Sequence, residues 1–284
     1  MTSHILKPYR WLHRAGRGVW TDTAALGSRL IRTRHILWAV TRVDFQKKYA
    51  GSVLGLLWHP LYSALLLAMY CFVYMVIFKM RYRDFGDYHY VLFIFAGLVP
   101  YLGFSDAVAA STPSVKANIA LVKNAVFPVE LIPIKQLLVS VAGLFISLGI
   151  LVILILPTSF MGWHILYLPV SVLLLVVFTS GVVWLISSLA ALIPDVTYIV
   201  NLLLLFFMFV SPIGYSPSQV SGTAYYWVAI NPMTYLIESF RFALLGVRDT
   251  PLWFDAVFAG GSLVFACVAG TIFRRLSPIF ADYE

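Results

Sequence analysis

The sequence predicts an all-α integral membrane protein, and three observations lead to that prediction. Apolar residues make up 61% of the 284-residue chain, whereas Asp, Glu, Lys and Arg make up only 11%, less than half of the roughly 25% typical of soluble domains. The apolar residues fall in runs of about 20, the length that an α-helix needs to cross a bilayer. The basic residues gather near the N-terminus and in the gaps between those runs, which is typical of membrane topology.

Six apolar runs are long enough to predict six transmembrane helices. They cover residues 53–78, 90–110, 134–156, 165–193, 196–213 and 254–273. The remaining N-terminal part, residues 1–50, is predicted to be a cytoplasmic or interfacial segment. Residues 51–284 are predicted to form the transmembrane domain.

The basic residues also give the orientation. An even number of spans places both termini on the same side of the membrane. If that side is the cytoplasm, 15 of the 20 Lys and Arg lie on inner segments and 5 on outer segments. The excess of positive charge on the inner side predicts a multi-pass protein of the bacterial inner membrane with cytoplasmic termini. The same distribution accounts for the net charge of +8 without a nucleic-acid partner.

The segment before the first span predicts a helix that lies in the membrane interface and contacts lipid. In a helix that begins at Leu26, one narrow face is apolar and the opposite face is basic. The apolar face consists of Leu26, Leu30, Leu37 and Val40. The basic face consists of Arg32, His35 and Arg42. Because Asp44 would fall on the apolar face, we expect the helix to end or turn before it.

The inner loop between the second and third spans, residues 111–133, is bounded by prolines and moderately polar. Residues 114–125 favour a short helix parallel to the membrane. An ordinary connector fits the pattern equally well, so the pattern alone leaves both interpretations open.

The outer segment between the fifth and sixth spans, residues 212–251, is long but not hydrophilic. A helix is predicted from Met233 to Leu245, and it carries Glu238 and Arg241 three residues apart, a spacing that allows them to pair. Non-helical backbone at membrane depth must be buried in protein or line a cavity. We therefore expect this segment to re-enter the membrane or to pack against the spans.

The sequence lacks the motifs of common catalytic sites. It contains no G-x-x-x-x-G-K-[ST] phosphate loop, no H-E-x-x-H and no paired-cysteine spacing, so we predict neither an enzyme nor a metal site. Ionisable residues inside or beside membrane spans are functional candidates by default. Here they are Asp106, Lys135, Asp195, Glu238, Arg241 and Asp255.

Six short motifs then occur in order along the chain. The first, Thr41–Trp58, leads into the first span. The others are Gly97-Leu-Val-Pro-Tyr101, residues 118–133, Ser211-Pro-Ile-Gly-Tyr215, residues 231–241 and Phe280-Ala-Asp282. Together they resemble the permease subunits of type-2 ABC exporters of cell-surface polysaccharide, a family that serves O-antigen, capsular polysaccharide and teichoic acid.

The resemblance implies a channel formed by two copies of the chain, with two copies of a separate ABC ATPase docked beneath. ATP and Mg²⁺ would bind to that ATPase, and this chain would hold no cofactor. The substrate would be a lipid-linked polysaccharide, with O-antigen favoured and capsule next. The resemblance leaves open whether a periplasmic accessory protein docks outside.

The resemblance also implies three groups of functional residues. The inner loop would be the coupling helix that receives the motion of the ATPase. Its candidates are Lys116, Asn118, Leu121, Lys123, Phe127 and Pro128. The outer gate would consist of Asn231, Pro232, Glu238 and Arg241. The entrance to the first span would consist of Arg42, Tyr49, Gly51, Gly55 and Trp58.

Two alternatives share some of these features. An ABC-2 exporter of drugs or small lipids would have the same topology. An integral-membrane glycosyl- or acyltransferase would need a polar catalytic cluster at the membrane interface, which the sequence does not display.

Overall fold

The computed structural model describes residues 32–82, 85–118 and 128–280. Within these ranges the regular structure is helical, with no β-strand. The helices are α1 (Arg34–Tyr49), α2 (Trp58–Cys71), α3 (Asp87–Ser111), α4 (Ser114–Ala117), α5 (Leu131–Ile155), α6 (Leu168–Leu192), α7 (Val196–Val210), α8 (Thr223–Ile230), α9 (Pro232–Leu245) and α10 (Trp253–Leu276). Helix α2 follows a 3₁₀ turn, Gly55–Leu57, and continues as a π-helix, Phe72–Ile77.

Five of the described helical segments are long and apolar enough to cross a bilayer, so the chain is an integral membrane protein. They are Gly55–Ile77, Asp87–Ser111, Leu131–Ile155, Trp163–Leu192 and Trp253–Ile279. The fifth predicted span, residues 196–213, corresponds to α7, which has only 15 residues. At 1.5 Å per residue this helix is about 22 Å long, less than the roughly 30 Å of the hydrocarbon layer.

Helix α7 is short because of a proline. The predicted span ran to Ile213, but the helix ends at Val210 and Ser211 is extended, with φ −73° and ψ 142°. A residue that precedes proline is disfavoured in the α conformation, and Pro212 itself has no N–H to continue the helix. The chain therefore leaves the helix at Ser211.

Helix α3 is the centre of the bundle. It packs against α5, α6 and α9, while α10 packs along α6. Helix α3 is largely buried, with 78% of its apolar stretch covered by the rest of the chain, whereas only 11% is covered in the segment that contains α2. A helix that is apolar all round is a core helix when its neighbours cover it, and it faces lipid or another protein when they do not.

Helix α1 continues through Asp44 to Tyr49, so the expectation that it ends before Asp44 is wrong. The reason is a tertiary contact, since the Asp44 carboxylate lies 2.7 Å from the ammonium group of Lys135 in α5. An acidic residue on the face that packs against α5 is stabilised by a buried cation opposite it. The first part of the predicted interfacial helix, including Leu26 and Leu30, lies outside the described residues.

Candidate functional site

Three of the motifs that are far apart in the sequence meet at one point beside α3. A Cβ atom at Gly97 would lie 3.0 Å from a guanidinium nitrogen of Arg241 and 3.1 Å from the carbonyl oxygen of Ile213. Gly97 belongs to α3, Ile213 to the non-helical segment after α7, and Arg241 to α9. The segment and the arginine approach α3 this closely because residue 97 has no side chain.

Arg241 is the most constrained side chain at this point. It is fully buried, and its guanidinium donates to the carbonyl oxygens of Ile213 at 2.7 Å and Tyr215 at 3.2 Å. It also pairs with the Glu238 carboxylate at 3.3 Å, which confirms the pairing predicted from their spacing. Burial lowers the pKa of the Arg241 guanidinium from its ordinary value, and the charge of Glu238 opposes that shift. Arg241 therefore supplies hydrogen-bond donors to the carbonyls of Ile213 and Tyr215, which lie outside the helices and so lack a helical partner.

Glu238 extends this contact into the neighbouring loops. Its second carboxylate oxygen accepts the backbone N–H of Asp249 at 2.7 Å. The Asp249 side chain in turn accepts hydrogen bonds from Tyr82 at 2.9 Å, from Ser218 at 2.6 Å and from Ser216. These bonds connect α9 to the loops before α3, after α7 and before α10.

Tyrosine hydroxyls donate to backbone carbonyls of α7 and of residues 211–215. The Met208 carbonyl would normally accept from residue 212, but Pro212 has no N–H, and Tyr70 donates to it at 2.9 Å instead. Tyr90 donates to Gly214 at 2.6 Å, and Tyr101 donates to Leu204. Such bonds allow irregular backbone to exist at membrane depth.

Sequence reasoning missed this role of the tyrosines. Tyr70, Tyr90 and Tyr101 are buried, and each hydroxyl bonds to a backbone carbonyl. The available signal was Pro212, which leaves a carbonyl without a donor four residues earlier and so requires one from elsewhere.

Asn231 and Pro232 begin α9 and hold it to the same segment. The Asn231 side chain accepts the N–H of Met233 at 2.9 Å, as an N-cap residue does, and donates to the Ser211 hydroxyl at 3.0 Å. Pro232 occupies the first helical turn, where its missing N–H has no cost. Asn231 and Arg241 therefore bond to residues 211–215, and Glu238 bonds to the loop that precedes α10.

A second buried ion pair joins Asp255 of α10 to Arg248 in the loop before that helix. Asp255 is among the candidates that the sequence predicts, but Arg248 is not. Arg248 donates two hydrogen bonds to the Asp255 carboxylate, at 2.7 Å and 2.6 Å. Tyr167 donates a third at 2.8 Å. Two parallel hydrogen bonds between a guanidinium and a carboxylate make a stronger contact than a single one.

The residues predicted for the entrance to the first span do not join this site. Arg42 is exposed on α1, Tyr49 ends that helix, and Trp58 begins α2 with 48% of its surface exposed. Gly51 and Gly55 have φ of +79° and +51°. The glycines make the turn between the two helices, because such φ values strain any residue with a Cβ.

The residues predicted for the coupling helix are described only in part. Lys116 lies in α4, and Asn118 follows it, whereas Leu121, Lys123 and Phe127 lie outside the described residues. Pro128 precedes α5 and is partly buried. The Asn118 amide oxygen lies 3.4 Å from the Lys135 ammonium group.

A cavity of about 350 Å³ lies between α2, α3 and α7. Asp106 lines it and pairs with Lys48 of α1 at 2.7 Å. His59 and Ser63 also line it, and His59 lies 3.2 Å from the Ser147 hydroxyl. Across the three described ranges, no group of three or more His, Cys, Asp or Glu residues is arranged to bind a metal ion.

Comparison with known proteins identifies relatives of this chain. The sequence profile of the ABC-2 type transporter family matches residues 35–245. The chain is 25% identical over 256 residues to the O-antigen export system permease protein RfbA of Myxococcus xanthus, covering 89% of this chain and 96% of that protein. It is 23% identical over 250 residues to a protein of the same name from Klebsiella pneumoniae, covering 87% of this chain and 94% of that protein.

Proposed function

Because the chain belongs to the ABC-2 type transporter family, we propose that it is the channel-forming permease subunit of an ATP-driven exporter of lipid-linked polysaccharide. The observation that supports this most directly is the similarity, over 87–89% of the chain, to proteins named as O-antigen export permeases. O-antigen is therefore the proposed substrate class and capsular polysaccharide the second choice. No feature of the described residues favours an exporter of drugs or small lipids over these.

We propose that the energy comes from two copies of a separate ABC ATPase subunit, which bind ATP and Mg²⁺. The inner loop that contains α4 would be the coupling helix on which the ATPase acts. Its described end is fixed to the bundle, because the Ser114 hydroxyl donates to the Ser111 carbonyl at 2.6 Å and Ser111 donates to Pro133 at 3.1 Å. A displacement of α4 would therefore reach α3 and α5 directly.

The permease would act as a homodimer in the inner membrane, with cytoplasmic termini and six spans. The two least covered apolar helices support a dimer. Leu65, Phe72 and Val76 in the first span are 56–59% exposed, and Leu202, Phe206 and Phe209 in α7 are 55–68% exposed. One chain alone could not enclose a polymer-sized channel. Helix α7 would reach across the membrane only together with the irregular residues that follow it.

Helices α8 and α9 would form the re-entrant outer gate. The support is the buried Arg241, which pairs with Glu238 and donates to the carbonyls of Ile213 and Tyr215, and so holds α9 against α3 without making it a span. Pairs of opposite charge can be accommodated at membrane depth when each is bonded. Movement of α9 would necessarily move the irregular segment after α7, because Arg241 bonds to it.

Deletion of the gene in the native bacterium tests the function. We expect surface O-antigen to disappear while the lipid-linked polymer accumulates inside the cell, and we expect the wild-type gene to restore export. The ATPase subunit should co-purify with the permease, and Lys116→Glu should reduce that co-purification. Unchanged surface polysaccharide after deletion would rule the proposal out.

A further inference from the structure

Lys135 is a buried cation at the inner end of α5. Its side chain is only 3% exposed. A buried ammonium group needs acceptors for its protons, since removing it from water costs several kcal/mol. The described residues supply two acceptors, and they come from two different segments of the chain.

The first acceptor belongs to the interfacial helix. The Asp44 carboxylate of α1 lies 2.7 Å from the Lys135 ammonium group, and the Asp44 side chain is 23% exposed. This is the acidic residue on the otherwise apolar face of α1. Its position is explained by Lys135, because removing one member of a buried pair leaves the other charge uncompensated.

The second acceptor belongs to the predicted coupling helix. The Asn118 amide oxygen lies 3.4 Å from the same ammonium group. The amide nitrogen of Asn118 donates to the Ser114 carbonyl at 2.8 Å, so the amide oxygen faces Lys135. Asn118 is therefore fixed to α4 by one atom and to Lys135 by another.

A second ion pair fixes the position of α1 along the bundle. Lys48 lies one helical turn after Asp44 and pairs with Asp106 of α3 at 2.7 Å. The two pairs have opposite polarity, with an anion on α1 meeting a cation at Lys135 and a cation on α1 meeting an anion at Asp106. A shift of α1 by one turn would bring Lys48 towards Lys135, so the charges select one register.

From these contacts we propose that Lys135 is a positioning residue that connects the coupling helix to the interfacial helix. Motion of α4 would pass through Asn118 and Lys135 to Asp44 and so move α1 together with the spans. The proposal rests on the proposed function, because it requires that an ATPase act on α4. It predicts that losing Lys135 uncouples ATP hydrolysis from export without releasing the ATPase.

The test uses the full permease–ATPase complex, with three readouts: co-purified ATPase, ATP turnover, and lipid-linked O-antigen transported into inverted membrane vesicles. For Lys135→Met we expect unchanged co-purification and turnover, and a fall of about tenfold in polymer transported per ATP. The double variant D44N/K135M leaves no unpaired buried charge, so it protects the test against a folding defect. It should show the same fall.

Two further variants separate positioning from a merely structural role. The swap D44K/K135D restores an ion pair of reversed polarity and should recover most of the transport per ATP. Asn118→Ala removes the amide that accepts from Lys135 and donates to Ser114, and it should give a partial loss. Lys47→Met, which removes a neighbouring charge from the same helix, is the matched control and should leave transport unchanged.

The outcomes are distinguishable. If D44N/K135M keeps the wild-type transport per ATP, or if the swap assembles but restores nothing, the role of Lys135 is wrong while the proposed function stands. If wild-type vesicles with the ATPase show no ATP-dependent transport, the proposed function itself fails.

Discussion

The guanidinium of Arg241 lies 3.6 Å from the centre of the Phe93 ring. Phe93 also stacks on Tyr82, with ring centres 4.3 Å apart. Tyr82 donates to Asp249, and the backbone of Asp249 donates to Glu238, which pairs with Arg241. The five residues therefore form a closed circuit of contacts that joins α3, α9 and the loops that contain Tyr82 and Asp249. A desolvated cation over an aromatic ring is worth about 2 kcal/mol. Each of the five residues is held in place by its contacts with two others of the group.

Arg241→Met should destabilise the protein by about 3–5 kcal/mol, because it leaves the Glu238 charge buried without its partner. The double variant E238Q/R241M should recover part of that loss, since no unpaired charge remains. Thermal unfolding in detergent measures both. The control is Arg81→Met, which removes an ion pair to Asp87 whose side chains are 69% and 72% exposed. It should change stability by less than about 0.5 kcal/mol, and equal losses for the two arginines would contradict the circuit.

Gly97→Ala should cost about 1–3 kcal/mol, since the new Cβ would press on the backbone of Ile213 and on Arg241, which are both fixed. Gly149→Ala in α5 is the matched control, because a Cβ there meets nothing within 4 Å. It should be neutral or stabilising, as alanine is favoured over glycine in a helix. Unfolding temperatures of the two variants would be compared, and export by Gly97→Ala should fall if the gate must pack closely. An unaffected Gly97→Ala protein would show that residues 211–215 do not need this approach.

Tyr70→Phe should cost about 1–3 kcal/mol, because the Met208 carbonyl would be buried without a donor. The same change at Tyr62, which is 59% exposed, is the control and should have little effect on stability. Unfolding measured by loss of tyrosine and tryptophan fluorescence would report the difference. If both variants unfold together with the wild type, the carbonyl must find another donor.

Gly55→Ala should destabilise the turn between α1 and α2 by roughly 1–2 kcal/mol, since φ is +51° there. No atom lies within 4 Å of the added Cβ, so the cost would come from backbone strain alone. Gly55→Asn should cost less, because asparagine tolerates the left-handed region. In Gly260→Ala the new Cβ would meet open space beside α10, so this substitution should stabilise the protein rather than destabilise it. Proteolysis at the turn would be a second measurement, and equal cleavage of Ala and Asn variants would argue against strain.

The sequence could predict the helices because a bilayer imposes length and composition on each segment separately. It could also predict that Glu238 and Arg241 pair, since residues three apart on a helix are neighbours whatever surrounds them. Pro212 and Gly55 likewise act on the local backbone, although the end of α7 at Val210 was placed three residues too late.

The tertiary structure alone decided which distant residues meet. The position of Asp44 on an apolar face is explained only by Lys135 opposite it, and the burial of Tyr70 only by its hydrogen bond to the Met208 carbonyl. Neither contact has a local signature, because each joins residues more than 90 positions apart through the packing of separate helices. Apolar patterning specifies that a helix enters the membrane, but it does not specify which neighbouring helix covers each face. The buried polar groups decide which helices pack together, because each of these groups needs a hydrogen-bond partner.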